Sequence, residues 1–194
     1  LNQNHRLMHG YHDDYYWIPD TPTAFTAPST IGLSHGNNPT PNLVYTGVMS
    51  DTTFLEVRYS GFWLRSSNDP NEDGQPRVQT RYVDDDTGMI TGGISNWAEN
   101  RQWRYGLSTK LSQYKERLWG GSHDLKIGAQ YGGHGSDNLN GPNDIITTFS
   151  TTGRPSRGTT QLPFHQGANV NWIGAYVDDT YRVGRAIVNF GVRY

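Results

Sequence analysis

The chain has 194 residues, no cysteine and a formal net charge of −2 at pH 7. Disulfides and thiolate metal sites are therefore excluded, and no bulk field points to nucleic acid or to anionic lipid. Only 34% of the residues are hydrophobic, 12% are aromatic and 23 are glycine. This mixture favours aromatic-rich strands joined by glycine-rich loops. The sequence contains no run of about 18 apolar residues, so it predicts no transmembrane helix.

The first 41 residues are polar and contain several prolines. We interpret residues 1–41 as an irregular extracellular loop. Its Tyr15, Tyr16 and Trp17, together with Trp97 further along the chain, are candidate ligand-binding residues, because aromatic rings stack on sugars and flat chelates. The same stretch contains imidazoles near carboxylates, in His5, His9, His12, Asp13 and Asp14. A zinc, copper or iron site and a plain polar surface loop are the two interpretations.

Alternating apolar and polar residues then recur in pairs of segments. In the clearest case, Leu55, Val57 and Tyr59 alternate with Glu56 and Arg58. A strand points successive side chains to opposite faces, so such segments have one apolar and one polar face. We predict hairpins at 42–66, 101–132 and 170–194, which give about six strands, and two long loops at 67–99 and 133–169.

Short turns on one side and long loops on the other are typical of the wall of an outer-membrane barrel. The predicted fold class is all-β: a segment of an antiparallel up-and-down transmembrane β-barrel that occupies residues 1–194. Trp103 and Trp119, near predicted strand ends, fit an interfacial aromatic girdle. Charged residues on the polar faces are expected to face the lumen, because Arg or Lys on the lipid side costs about 2–4 kcal/mol at the midplane. These residues are Glu56, Arg58, Arg104, Lys110, Lys126 and Arg193.

The loop 67–99 contains a partial calcium motif. Asp69, Asn71 and Asp73, followed by Gly74, match the opening of a calcium-binding loop, in which oxygen ligands alternate before a sharp turn. The twelfth position is Thr80 rather than glutamate, so Asp84, Asp85 and Asp86 would have to supply the missing carboxylates. The alternatives are a calcium site and a solvated acidic loop.

Catalysis has little support in the sequence. Ser122, His123 and Asp124 are adjacent, but neighbouring strand residues point to opposite faces and do not converge as a triad. We therefore expect no enzymatic activity.

Four stretches of the chain resemble part of the barrel of TonB-dependent outer-membrane receptors, in the group that carries an N-terminal carboxypeptidase-regulatory-like domain. They are 53–59 (TFLEVRY), 86–93 (DTGMITGG), 121–128 (GSHDLKIG) and 176–194, which begins with YVDDTYRV. The resemblance covers most of 42–194. It implies a bacterial outer-membrane location with extracellular loops, and uptake of a siderophore, a cobalamin, an oligosaccharide or a similar solute.

The resemblance also implies partners: outer-membrane lipid, the rest of a barrel of about 22 strands with its plug, and a TonB-type energy-coupling protein. The chain starts at Leu1 in a polar stretch, so we expect a piece of a longer protein. Two alternatives remain. One is a passive porin-like barrel, which needs at least about 8 strands. The other is a soluble or filament-forming all-β binding or adhesion module, which would be monodisperse without detergent or would assemble through its open edges.

Overall fold

A computed structural model describes residues 4–72, 74–141, 147–160 and 162–194. The chain folds almost entirely into strands, as the alternation predicted, and a single short 3-10 turn, Pro28–Thr30, interrupts them in the described residues. The strands are β1 (His5–Pro19), β2 (Gly32–Ser50), β3 (Thr53–Pro70), β4 (Arg81–Asp84), β5 (Ile90–Gly92), β6 (Trp97–Leu118), β7 (Gly121–Gly141), β8 (Thr147–Thr151), β9 (Arg154–Thr159), β10 (Phe164–Val183) and β11 (Ala186–Arg193).

Seven long strands form one antiparallel up-and-down sheet in the order β1-β2-β3-β6-β7-β10-β11. The all-β, antiparallel up-and-down part of the predicted fold class is confirmed, with seven long strands where about six were predicted. The sheet is open, with β1 and β11 at its edges, and its membership of a transmembrane barrel stays a prediction. Two-residue turns join β2 to β3, β6 to β7 and β10 to β11 at one end of the sheet. In the second of these turns Trp119 and Gly120 both have positive φ, 50° and 82°, which is the backbone that matches the twist of paired strands.

The two long connections at the other end are not plain loops. They contain the short strands β4, β5, β8 and β9, which form a second sheet in the order β5-β4-β8-β9. The parallel pairing of β4 with β8 joins the connection after β3 to the connection after β7. The predicted loops 67–99 and 133–169 are therefore wrong in part, because each contributes two strands to this sheet.

The prediction that residues 1–41 form an irregular loop is wrong. β1 occupies most of its first half, and β2 begins at Gly32 and runs through Pro39 and Pro41. β2 pairs with β3 at 32–37 and again from Asn42 onward, so both prolines lie where that ladder is interrupted. A proline lacks the N–H that a continuous ladder requires, and the interruption accommodates two of them in a long strand.

The three predicted hairpins exist, but their strands are longer than 42–66, 101–132 and 170–194. Glycines in β7 led to the early end at 132. Gly133 and Gly135 remain in the strand because aromatic rings directly opposite on β6, those of Tyr105 and Trp103, lie over them. Each ring occupies the space above a glycine and supplies the packing that the glycine lacks.

The register assigns every side chain of the main sheet to one of two faces. Directly opposite residues share a face in an antiparallel pair, and here even-numbered residues align with even-numbered ones from β1 to β10. Between β10 and β11 the alignment differs, because even-numbered residues of β10 lie opposite odd-numbered residues of β11. Tyr176, for example, lies opposite Arg193. We call the side that contains Glu56 and Arg104 the polar face and the side that contains Leu55 and Leu107 the apolar face.

The main sheet is a single layer without a hydrophobic core. Among the described residues, Ile94 and Ala98 are the buried apolar side chains. The accessible surface is 12938 Å², whereas a compact monomer of this mass exposes about 9,300 Å². The excess surface means that the two faces of the sheet require partners outside this chain or a wet environment on one side.

Candidate functional site

The apolar face carries a band of apolar and aromatic side chains across the sheet. The band begins near the tight turns, at the row of directly opposite residues that includes Gln113, and ends at the row of Trp103. Between the rows of Gln113 and Tyr105, the described residues of this face include no Lys, Arg or Glu and a single Asp, Asp179. Beyond Trp103, the next row contains Arg65, Arg101 and Asp137 on β3, β6 and β7.

The apolar band extends over ten residue positions along β6. Trp103 and Gln113 lie ten positions apart on β6, which corresponds to about 33 Å along a strand. In a barrel wall with the usual strand tilt of about 40°, this length would correspond to a vertical height of about 25 Å. Aromatic residues lie at both margins of the band. Trp63 and Trp103 are at the margin near the long connections, and Trp119 and Tyr181 are at the margin near the tight turns.

The polar face carries all six residues that the sequence predicted to face a lumen. Glu56, Arg58, Arg104, Lys110, Lys126 and Arg193 lie on this one side of the sheet. Together with Arg6 and Arg182 there are seven basic residues on the regularly paired part of this face, against four acidic residues, Asp14, Glu56, Asp124 and Asp178. The face therefore has a surplus of three positive charges in a chain whose net charge is −2. That it lines a lumen stays a prediction.

Several of these charges pair with neighbours on the same face. The Arg58 Nη2 donates to Glu56 Oε2 at 2.9 Å, and the Lys110 Nζ lies 3.5 Å from Glu56 Oε1. The Lys126 Nζ lies 3.7 Å from Asp124 Oδ2, and the Arg193 guanidinium lies over the Tyr176 ring at 5.2 Å. Arg104 makes no ion pair with any described residue, and the same holds for Arg6, Arg182 and Arg193 of this face.

Two adjoining cavities open on the polar face around Arg104. Their volumes are about 600 and 900 Å³, and both are lined by Phe62, Arg104 and Trp172. We call the combined depression the Arg104 groove. Volumes of this size fall in the range of small-molecule sites, about 300–1,000 Å³.

Near the tight turns, the apolar face contains a buried polar pair that the sequence reasoning missed. His123 Nδ1 lies 2.5 Å from Asp179 Oδ2, and the two residues are only 4% and 7% exposed. The His123 ring stacks on Tyr181 at 4.6 Å and meets the Trp119 ring edge-on at 5.5 Å. Ser122 lies on the opposite face from His123, as a strand requires, so the sequence neighbours do not form a triad.

The structure does not bring the four aromatic ligand candidates together. Tyr15 and Trp17 lie on the apolar side of β1, an edge strand, whereas Tyr16 lies on the polar side. Trp97 is on the apolar side of β6, and β2 and β3 separate it from β1. Ligand binding by these residues therefore stays a prediction for separate positions and does not describe one site.

The calcium candidates are likewise dispersed among other partners. The Asp69 Oδ1 accepts a hydrogen bond from Arg77 Nε, and the Asp69 Oδ2 lies 3.1 Å from His35 Nε2. The Asp84 Oδ1 accepts the backbone N–H groups of Asp86 and Thr87 at 2.9 and 3.2 Å, which closes its own turn.

Three loop candidates remain. The Asp86 Oδ2 accepts the backbone N–H of Thr152. The Asn71 Oδ1 is buried without a hydrogen-bond partner in the described chain, and Asp73 lies outside the described residues. The residues that the structure describes contain no group of three or more His, Asp or Glu side chains that could hold a metal ion. Calcium binding stays a prediction.

Arg77 attaches the connection after β3 to the main sheet. Its Nη1 donates to Glu99 Oε1 at 2.5 Å while its Nε donates to Asp69, and its guanidinium lies 5.3 Å from the centre of the Trp97 ring. The hydrogen bonds to Asp69 and then to Glu99 raise the pKa of Arg77 above its ordinary value, so this contact is made by a permanently charged group.

These features define the class of the protein as a single-layer, open, antiparallel up-and-down sheet with one apolar-banded face and one charged face. In comparisons with known proteins, no family model, no curated protein and no solved structure matches the chain. No helix in the described segments is long and apolar enough to cross a membrane.

Proposed function

We propose that the chain is part of the wall of an outer-membrane transporter of the TonB-dependent type, which takes up a scarce solute such as a siderophore, a cobalamin or an oligosaccharide. In this proposal the tight turns face the periplasm and the long connections with their small sheet face the cell exterior. Further strands complete the barrel from the open edges β1 and β11, and a plug occupies its interior.

The single observation that carries the proposal is the apolar band of about 25 Å in vertical height. The band ends at the same row on β3, β6 and β7, where Arg65, Arg101 and Asp137 follow it. The single-layer sheet adds support, because Ile173, in the middle of the band, is 74% exposed. Lipid supplies the missing apolar partner, and closure of the barrel pairs every backbone group.

The charged opposite face fits the same arrangement. Glu56, Arg58 and Lys110 lie at the height of the band but on the other side of the sheet. Charges at that depth are tolerated in a polar barrel interior and disfavoured in hydrocarbon. A soluble or filament-forming module would instead bury the apolar band against a second sheet, and a passive porin would leave the interior open to ions.

Site-specific labelling tests the proposal, since the native chain has no cysteine. A fluorescent label is attached to I173C, on the apolar face, and to Q130C, on the polar face, and the protein is reconstituted in phosphatidylcholine vesicles. We expect nitroxide groups on the lipid acyl chains to quench the label at 173 and aqueous iodide to leave it bright. The label at 130 should show no quenching by the acyl-chain nitroxide.

L139C is the matched control, because Leu139 lies on the same face but beyond the band, and its label should be quenched by iodide. A label at 173 that iodide quenches, in a protein monodisperse without detergent, would establish the soluble module instead. Steady single-channel conductance without any energy source would favour the porin.

A further inference from the structure

The Arg104 groove contains an arginine without an acidic partner. Arg104 lies directly between Phe62 on β3 and His134 on β7. On β3, β6, β7 and β10, no Asp or Glu of the described chain lies on this face between the row of Gln102 and the row of Ser108. The surrounding face has an excess of positive charge, so the groove offers its guanidinium to an anion from outside the chain.

Arg104 also differs from Arg58, the other arginine that borders the groove. Arg58 borders the same groove, but its charge is matched by Glu56 at 2.9 Å. A guanidinium presents a planar fork of N–H donors that fits the two oxygens of a carboxylate. The unmatched fork of Arg104 therefore favours a carboxylate over a neutral group.

Trp172 supplies an aromatic ring in the same groove as Arg104. The Trp172 ring lies over Gly132, where an added Cβ would come within 2.5 Å of its Cζ2 atom. Gly106 and Ser60 lie next to Gly132 in the same row. Their small side chains leave open space above the sheet at this point. A flat ring can enter this space and stack on Trp172, because ring faces favour offset stacking or contact with sugar C–H groups.

Neutral hydrogen-bonding groups complete the lining. Asn42, Ser60, Ser108 and Gln130 border the cavity that contains Arg58 and Arg104. A few such groups around an apolar ring and one charge are the usual composition of a small-molecule site.

We propose that the Arg104 groove binds a carboxylate attached to a ring, with the carboxylate on Arg104 and the ring against Trp172. The ring is that of a sugar acid or of an aromatic acid. This inference rests on the proposed function, since the groove faces a solute path only if the sheet is part of a closed barrel, and it narrows the transported solute to an anionic one.

The test measures binding by the full protein in detergent micelles, by isothermal titration calorimetry with two matched pairs of probes. Trigalacturonate is compared with maltotriose, and benzoate with benzyl alcohol. We expect the acid of at least one pair to bind at least about tenfold more tightly than its neutral partner. The pair that shows the difference identifies the source of the ring.

R104Q should abolish that preference, and R104K should restore only part of it, because an ammonium group lacks the bidentate fork. R101Q is the control, since Arg101 lies on the same strand but on the apolar side. W172L should weaken both members of the preferred pair. Equal binding of acids and neutral analogues, or a preference that survives R104Q with unchanged circular dichroism, overturns the inference.

The labelling experiment separates the two proposals. If the label at 173 is in lipid and no acid is preferred, the inference about the groove is wrong and the transporter proposal stands. If an Arg104-dependent preference occurs in a protein whose label at 173 is in water, the groove binds acids but its role in transport is wrong.

Discussion

His123 and Asp179 meet diagonally across β7 and β10, with Nδ1 2.5 Å from Oδ2, at the turn-side end of the apolar band. His123 Nε2 lies 3.2 Å from the Leu118 carbonyl oxygen, and the Tyr181 hydroxyl donates to the Trp119 carbonyl oxygen at 2.7 Å. The pair therefore holds the tight turn between β6 and β7 against β10.

We predict that H123A or D179A alone destabilises the fold by about 3–5 kcal/mol, because each leaves one buried polar partner uncompensated. The free energy of unfolding in urea, measured in vesicles, checks this. The double variant should cost less than the sum of the two singles. D178N, on the opposite face, is the control, and singles that cost under about 1 kcal/mol would disprove a structural role for the pair.

The glycines beneath aromatic rings give a second prediction. In G135A the new Cβ would come within 2.7 Å of the Trp103 Cε2 atom and 2.8 Å of the Ala168 carbonyl oxygen, so we expect a loss of about 1–3 kcal/mol from overpacking. In G10A the nearest atom is the Asn42 Cβ at 3.9 Å, and the change should be neutral or stabilising by about 0.5–1 kcal/mol. Thermal unfolding followed by circular dichroism compares them, and equal effects would contradict the ring-over-glycine packing.

The stability cost of an arginine substitution indicates whether the apolar face is surrounded by lipid or by water. We predict that I173R costs about 2–4 kcal/mol in vesicles, since it places a charge near the middle of the band, whereas L139R, beyond the band, costs about 0–1 kcal/mol. Ile173 has almost no neighbours to lose, so the cost reports the surrounding medium and not packing. The yield of protein folded into vesicles at graded urea concentrations gives the comparison, and a harmless I173R would place that face in water.

Arg77 gives a fourth prediction, on the connection after β3. In R77K the lysine should not restore the contacts of Arg77, because one guanidinium binds both Asp69 and Glu99 and lies over the Trp97 ring. Since Arg77 is partly exposed, the loss of global stability should be small, about 1 kcal/mol. We expect faster cleavage by proteinase K near residues 71–80 with the rest of the sheet intact. K126Q, which removes a looser pair of 3.7 Å, should leave the cleavage rate unchanged.

Much of the strand architecture is visible in local patterns. The alternation around Leu55 and Val57 predicted two faces, and turn residues such as Ser50 to Thr53 predicted the tight connections. The failures share one cause. The stretch before residue 42 and the glycines after Tyr131 look irregular in isolation, yet both are held in strands by a neighbour, β1 with β2 and β7 with the rings of β6 and β10.

The amino-acid sequence alone determined that the chain is made of two-faced strands and that six charged residues point the same way within their strands. This is possible because the side-chain period of two is a property of the local backbone. Tertiary structure alone decided that His123 meets Asp179, 56 positions away, and that Arg104 and Trp172 line one groove. Those contacts depend on which strands pair and in which register, and a shift of one residue would move each side chain to the other face.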